Sequence, residues 1–270
     1  MNKKIKMTIY LILGASFLIY ASIAIVIYLS QSKLLYHPGE NNYLEENNLN
    51  HKIEKISIPS DNKLIAWHFK KNENYKTLLF FHGNAGKLDN RIYKLNELSK
   101  LNINYLIFAY RGFSGNEGSP DENGLYKDAR AVKYYLNLQN IPDKKIVLYG
   151  ESLGTAIAID IAKDHNFSGI ILESPFTSMV SLAKKYYPYL PVSILLKDKY
   201  ETIKKIKQVN SPILVMHGRK DKIVPFEMGE KIFKYSNKPK YSFFIDNDDH
   251  MMEFSKELIK SIELFLESLN

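Results

Sequence analysis

The chain contains no cysteine among its 270 residues, which excludes a disulfide framework, a thiolate zinc site and a cysteine nucleophile. Glycine (13) and proline (10) are too sparse for a collagen-like or low-complexity chain. Histidine is scarce as well, seven in all, so an imidazole base has few places to sit. Acidic residues are missing from the first 33 positions, where Lys3, Lys4, Lys6 and Lys33 stand unopposed and supply half of the net charge of +8. The remaining +4 is spread thinly, without an arginine-rich stripe or zinc-finger spacing, so nucleic acid is not the expected partner. Apolar and aromatic residues are plentiful, 45% hydrophobic with 14 Phe and 19 Tyr, enough for one large packed domain.

Met7 to Leu29 reads MTIYLILGASFLIYASIAIVIYL, 23 residues without a charge, where a helix needs about 20 to cross the hydrocarbon core. A cleaved signal peptide also starts with basic residues, and Ser22-Ile23-Ala24 has the small residues of a cleavage site. The apolar run continues, however, through Ile25, Val26, Ile27 and Tyr28, past the ~7–15 residues of a signal's apolar region. A retained N-terminal membrane anchor over residues 1–33 is therefore expected. Three lysines precede the segment; after it come Lys33 and then Glu40, Glu45 and Glu46. That asymmetry predicts a cytoplasmic N-terminus with the bulk of the chain on the outer, periplasmic or extracellular, side. Residues 34–50 read as a juxtamembrane linker and 51–270 as the folded domain.

Within that domain, 51–59 and 63–69 read as strands joined by the turn-prone Ser60-Asp61-Asn62, an expected antiparallel pair. The runs at 77–83, 104–112, 145–151, 169–174, 212–218 and 241–246 are nearly continuous in apolar residues, as strands of a parallel sheet buried on both faces are. Helical spacing recurs over 88–100, 121–139 and 153–163, and a last helix is expected near 252–268. The prediction is an α/β fold: a mostly parallel, eight-stranded sheet with helices on both faces. The stretch from Pro175 to Asn210 is longer than a simple crossover requires and is expected to form a small lid over about 175–210.

Gly150-Glu151-Ser152-Leu153-Gly154 matches G-x-S-x-G between a strand and a helix, the context that gives this pattern weight. A nucleophile on so sharp a turn needs small residues two positions to either side, which Gly150 and Gly154 provide. The turn also leaves the Leu153 N–H at a helix N-terminus, able to face a developing oxyanion. The plain alternative is a serine that caps the helix. Serine needs a base oriented by an acid, in the chain order Ser, Asp or Glu, His for this architecture. His250, after the last strand, is the expected base; His217 reads as an interior strand histidine and His165 as a helix cap. Asp221, after the strand ending in Gly218, is the expected acid, with Glu173 as its rival and Asp248 and Asp249 as surface carboxylates. His82-Gly83-Asn84-Ala85-Gly86 should supply a second oxyanion N–H, from Asn84 or its neighbour Ala85. The glycine-rich loop Arg111 to Gly118 reads mainly as structural. No spaced His and carboxylate set suggests a metal.

Taken together, LLYHP (34–38), FFHGNAG (80–86), YRGFSGNEGSP (110–120), YGESLG (149–154), ESPFTSM (173–179) and HGRKDKIVP (217–225) resemble the α/β-hydrolase superfamily. Within it they are similar to the single-pass, membrane-anchored serine hydrolases related to lysophospholipases and depalmitoylases. The resemblance spans nearly the whole chain. It implies an α/β-hydrolase fold, a triad of Ser152, Asp221 and His250, and no cofactor. The cysteine-rich N-terminus of the eukaryotic depalmitoylating relatives has no counterpart here.

The expected chemistry is acyl transfer from a carboxylic ester or thioester. Tyr186, Tyr187, Tyr189, Leu190 and Ile194–Leu196 are apolar enough to line an acyl pocket, and seven lysines lie within 184–207 against Asp198 and Glu201. A basic, apolar lid beside a bilayer suits a lipid-like substrate. No obligate protein partner is inferred. A peptidase, or a membrane-tethered binding protein on the same fold, are the alternative readings.

Overall fold

The computed structural model describes residues 2–39 and 48–269. Glu40, Glu45 and Glu46, with residues 40–47 of the expected linker, lie outside the described residues. The chain opens with α1 (Lys3–Leu35), one unbroken helix of 33 residues, about 50 Å long at 1.5 Å per residue. Its most apolar 18-residue window has a mean hydropathy of 2.3 and none of it is buried. By length and composition it is a candidate membrane span.

The domain is built on one eight-stranded sheet in the order β10-β9-β8-β7-β4-β6-β3-β2. These are β2 (Glu54–Ile58), β3 (Leu64–Phe69), β4 (Thr77–Phe81), β6 (Asn104–Phe108), β7 (Ile146–Glu151), β8 (Gly169–Glu173), β9 (Ile213–Gly218) and β10 (Lys240–Ile245). β2 and β3 form the expected antiparallel pair; β3 is also antiparallel to β6, and every other neighbour is parallel. The central strands β4, β6, β7, β8 and β9 are buried along their whole length. Covering both faces removes the need for alternation, which is why they read as unbroken apolar runs. The sheet edges β2 and β10 are partly exposed.

The covering helices are α2 (Ile92–Leu98), α3 (Glu122–Leu138), α4 (Leu153–Ala162), α8 (Phe226–Tyr235) and α9 (Lys256–Glu267). α2 is preceded by a 3-10 turn over Leu88–Arg91, and α8, between β9 and β10, was not anticipated from the sequence. Between β8 and β9 lie three short helices, α5 (Met179–Tyr186), α6 (Val192–Leu195) and α7 (Thr202–Lys205). His165 does not cap α4: it stands three residues past that helix, its ring 3.3 Å from Asp143 Oδ2 on the surface.

A second, two-stranded parallel sheet joins β1 (His37–Pro38) to β5 (Ala85–Gly86). It ties the end of α1 to the loop after β4. His37 N donates to Asn84 O at 2.9 Å, and Asn84 Nδ2 donates to Leu35 O at 2.7 Å.

Candidate active site

Ser152 occupies the turn between β7 and α4 with φ 51° and ψ −113°, a left-handed conformation that a residue with a Cβ adopts only where its surroundings enforce it. The enforcement is steric. A Cβ on Gly150 would lie 2.6 Å from Gly154 O, and one on Gly154 would lie 2.0 Å from Phe81 O. The turn is held by Ser152 N donating to Glu173 O (2.9 Å), and by Thr155 donating to Ser152 O through its N–H (3.0 Å) and hydroxyl (2.6 Å). Ser152 stands where an N-cap would, but its side chain makes no capping bond. Its Oγ instead lies 3.0 Å from His250 Nε2.

His250 lies in the loop between β10 and α9. Its main chain is held by Ser174 Oγ, which donates to His250 O at 3.2 Å. Gly218 at the end of β9 admits the same loop, since a Cβ there would come within 2.4 Å of Asp248 O. Asp248 and Asp249 shape the loop: their carboxylates accept main-chain N–H groups of Asp249, Met251 and Glu253. Asp221, just after β9, accepts four hydrogen bonds. Oδ1 takes the N–H groups of Ile223 and Val224, each at 2.8 Å; Oδ2 takes His250 Nδ1 at 2.7 Å and His217 Nε2 at 3.1 Å. Burial alone would raise the Asp221 pKa, but the bonds from His217 and His250, with that from Val224, outweigh it and hold the carboxyl well below the usual range. With Nδ1 facing a carboxylate, His250 carries its proton there and leaves Nε2 free to accept from the serine.

The rivals are occupied elsewhere. His217 is fully buried, and Nε2, shared between Asp221 and Val224 O (3.0 Å), must carry the ring proton because a carbonyl only accepts. Glu173 belongs to a buried ionic cluster beneath the turn that the sequence reading missed. Lys94 Nζ lies 2.6 and 2.8 Å from the two Glu173 oxygens and 2.8 Å from Glu151 Oε2, while Arg91 Nη2 meets Glu151 Oε1 at 2.6 Å. Burial favours a neutral Glu151, yet Arg91 and Lys94 override it and depress its pKa. Burial and the Glu151 charge push Glu173 up. The readable signal was two cations, Arg91 and Lys94, in the apolar stripe of Leu88, Leu95 and Leu98.

Leu153 is the first residue of α4, so its N–H has no acceptor within the helix. Asn84 is pinned by its carbonyl and side chain to the end of α1, and Ala85 by its carbonyl, which accepts from Arg91 Nη1 at 2.8 Å. His82, at the base of this loop, is pushed down to about pH 3 in its pKa by burial and by Arg91, so it stays neutral and donates Nδ1–H to Gly83 O at 2.7 Å. The loop from Arg111 to Gly118 is structural: Arg111 pairs with buried Asp128 (Nη2 to Oδ1, 2.6 Å), and Asn116 Nδ2 donates to Ala109 O at 2.7 Å.

A family model described as the alpha/beta hydrolase fold matches residues 76–194. The chain is 30% identical to Rv2307c of Mycobacterium tuberculosis over 92% of each protein. It is also 30% identical to human alpha/beta hydrolase domain-containing protein 17B, over 70% of this chain and 65% of that one. Among solved structures it is similar to the Pyrococcus furiosus esterase Pf2001, with a TM-score of 0.71 at 17% identity, over 87% of this chain and all of that one.

Proposed function

Because this chain belongs to the α/β-hydrolase superfamily, we propose that it is a membrane-anchored serine hydrolase that cleaves a carboxylic ester or thioester. The observation that carries this reading is the contact of Ser152 Oγ with His250 Nε2 at 3.0 Å, made from a positive-φ turn between β7 and α4. In the proposed reaction Ser152 Oγ attacks the acyl carbonyl as its proton passes to His250 Nε2, and Asp221 stabilises the imidazolium through Nδ1–H. The oxyanion faces the Leu153 and Asn84 N–H groups. Collapse expels the alcohol or thiol, which takes the proton from His250. Water, deprotonated by His250, then releases the acid and restores Ser152. No metal or organic cofactor enters this sequence.

The apolar α1 supports retention as an anchor, and Lys3, Lys4 and Lys6 before it support a cytoplasmic N-terminus with the domain outside. Residues 175–210, which carry α5 to α7, are the proposed lid, and its aromatic residues support an acyl substrate. The test is hydrolysis of nitrophenyl esters, an acyl thioester and a peptide anilide by the purified full-length chain, beside Ser152→Ala. Turnover of ester or thioester, lost in the variant, is expected. Turnover of the anilide alone would replace this reading with a peptidase.

A further inference from the structure

A cleft of about 420 Å³ lies between the C-terminal half of α1 and the segment carrying α5 and α6, within the ~300–1,000 Å³ of small-ligand sites. Ile27, Leu34 and Leu35 form one wall and Leu182, Leu190 and Leu195 the other. Gln31 and Asp198 in its lining are already engaged by protein. Gln31 donates Nε2–H to Leu195 O (3.2 Å) and accepts from Lys197 N (2.8 Å), while Asp198 accepts from Tyr36 OH and Glu122 N. What remains for an occupant is mostly apolar surface.

Two lining residues of the cleft are hydrogen-bonded to residues of the candidate site. Leu35 O accepts from the side chain of Asn84, and Ile223, also in the lining, donates its N–H to Asp221 Oδ1. The other direction runs along the anchor. Ala21, Ala24, Ile27, Gln31 and Leu35 are partly covered, a stripe at helical spacing, whereas residues 2–20 are exposed. Tyr20 OH donates to Tyr189 O at 2.9 Å. Tyr20 precedes Leu29 by nine residues, about 13 Å along a helix. With Met7–Leu29 in the hydrocarbon, the tip bearing the exposed side chains of Tyr189 and Ile194 reaches into the outer leaflet.

We propose that this cleft is the acyl-chain subsite of the hydrolase, with the anchor helix as one of its walls. Its occupant is the single unbranched acyl chain of a membrane-resident ester, entering from the outer leaflet with its carbonyl toward Ser152. The proposal rests on the ester-hydrolase reading and on retention of α1, and it makes α1 part of the substrate site as well as a tether.

The experiment uses the full-length chain in phosphatidylcholine nanodiscs with butyryl and lauroyl nitrophenyl esters. Leu182→Trp and Ile27→Trp fill the cleft from opposite walls, and Ile25→Trp adds the same bulk on the far face of α1. Both cleft variants are expected to lower lauroyl kcat/KM by about tenfold or more, the scale of losing methylene contacts in an apolar pocket. Butyryl turnover and fluorophosphonate labelling should persist, and Ile25→Trp should match the parent. Lauroyl turnover unaffected by Ile27→Trp, or butyryl and lauroyl turnover falling together while labelling persists, overturns the subsite. As a check independent of substitution, a lauroyl-length fluorophosphonate with a terminal diazirine, captured by the parent and irradiated, should crosslink to residues 27–35 or 182–196; crosslinks confined elsewhere overturn it too. A parent that takes no fluorophosphonate and turns over neither ester refutes the hydrolase reading itself, and the subsite with it.

Discussion

His217 and His250 approach the same oxygen of Asp221, at 3.1 and 2.7 Å. The fully buried His217 thus fixes the carboxylate that in turn fixes the half-buried His250. In Asp221→Asn the amide no longer stabilises the imidazolium and the His250 tautomer is reset, so kcat should fall by roughly 10⁴. His217→Phe leaves three of the four donors in place and should cost about tenfold. Steady-state ester kinetics on both variants checks the ordering.

Glu173 and Asp221 are separated by a complementary experiment. Glu173→Gln should leave kcat per folded molecule within about threefold, because its partners are Lys94 and Tyr149 rather than His250. Lys94→Met should destabilise by about 3–5 kcal/mol at pH 7.5, since it leaves the Glu173 carboxylate buried without its cation while Glu151 keeps Arg91. The sign with pH is fixed. In the parent, depression of the Glu151 pKa contributes stability that is present above the ordinary carboxylate range and lost as pH falls below it. In Lys94→Met the carboxyls protonate more readily, so the deficit should narrow at pH 5. Guanidinium unfolding followed by the single, buried Trp67 measures this.

Gly154→Ala tests the turn. The added methyl meets Phe81 O at 2.0 Å, and a strand carbonyl in the sheet centre cannot yield as a flexible side chain would. Destabilisation of about 3 kcal/mol or more is expected, at the upper end for overpacking, with loss of fluorophosphonate labelling in any folded fraction.

Acid lability should trace in part to His68. It is buried, neither ring nitrogen has a hydrogen-bond partner among the described residues, and burial with Lys70 nearby lowers its pKa to about 4. A depressed histidine contributes stability that is full above its unfolded pKa near 6.5 and declines as pH falls toward 4. His68→Phe should therefore reduce the stability lost between pH 7.5 and pH 5 by about 1–2 kcal/mol, read by circular dichroism during denaturation.

Most of the sheet was legible because strands buried on both faces announce themselves as apolar runs. Ser152, His250 and Asp221 were nameable as neighbours because each follows the carboxyl end of a strand, where a parallel sheet gathers its loops. The β1–β5 pairing was not legible: two residues at His37-Pro38 carry no periodicity, and their partner is set by tertiary packing alone. Helix α8 was not legible because its buried face, Phe226, Gly229 and Ile232, places a glycine where an apolar stripe would carry a side chain. Gln31 was hidden for a different reason. At the polar end of an apolar segment it reads as a membrane-interface residue, and only the fold shows its amide holding the main chain of Leu195 and Lys197.

The central claim is that Ser152 is an activated nucleophile. Intact-mass and peptide mapping of the full-length chain after fluorophosphonate treatment tests it most directly. One adduct per chain, on the peptide containing Ser152, and none in Ser152→Ala or His250→Ala, is the predicted result. A folded parent that gains no adduct, or gains it on another residue, would contradict the account.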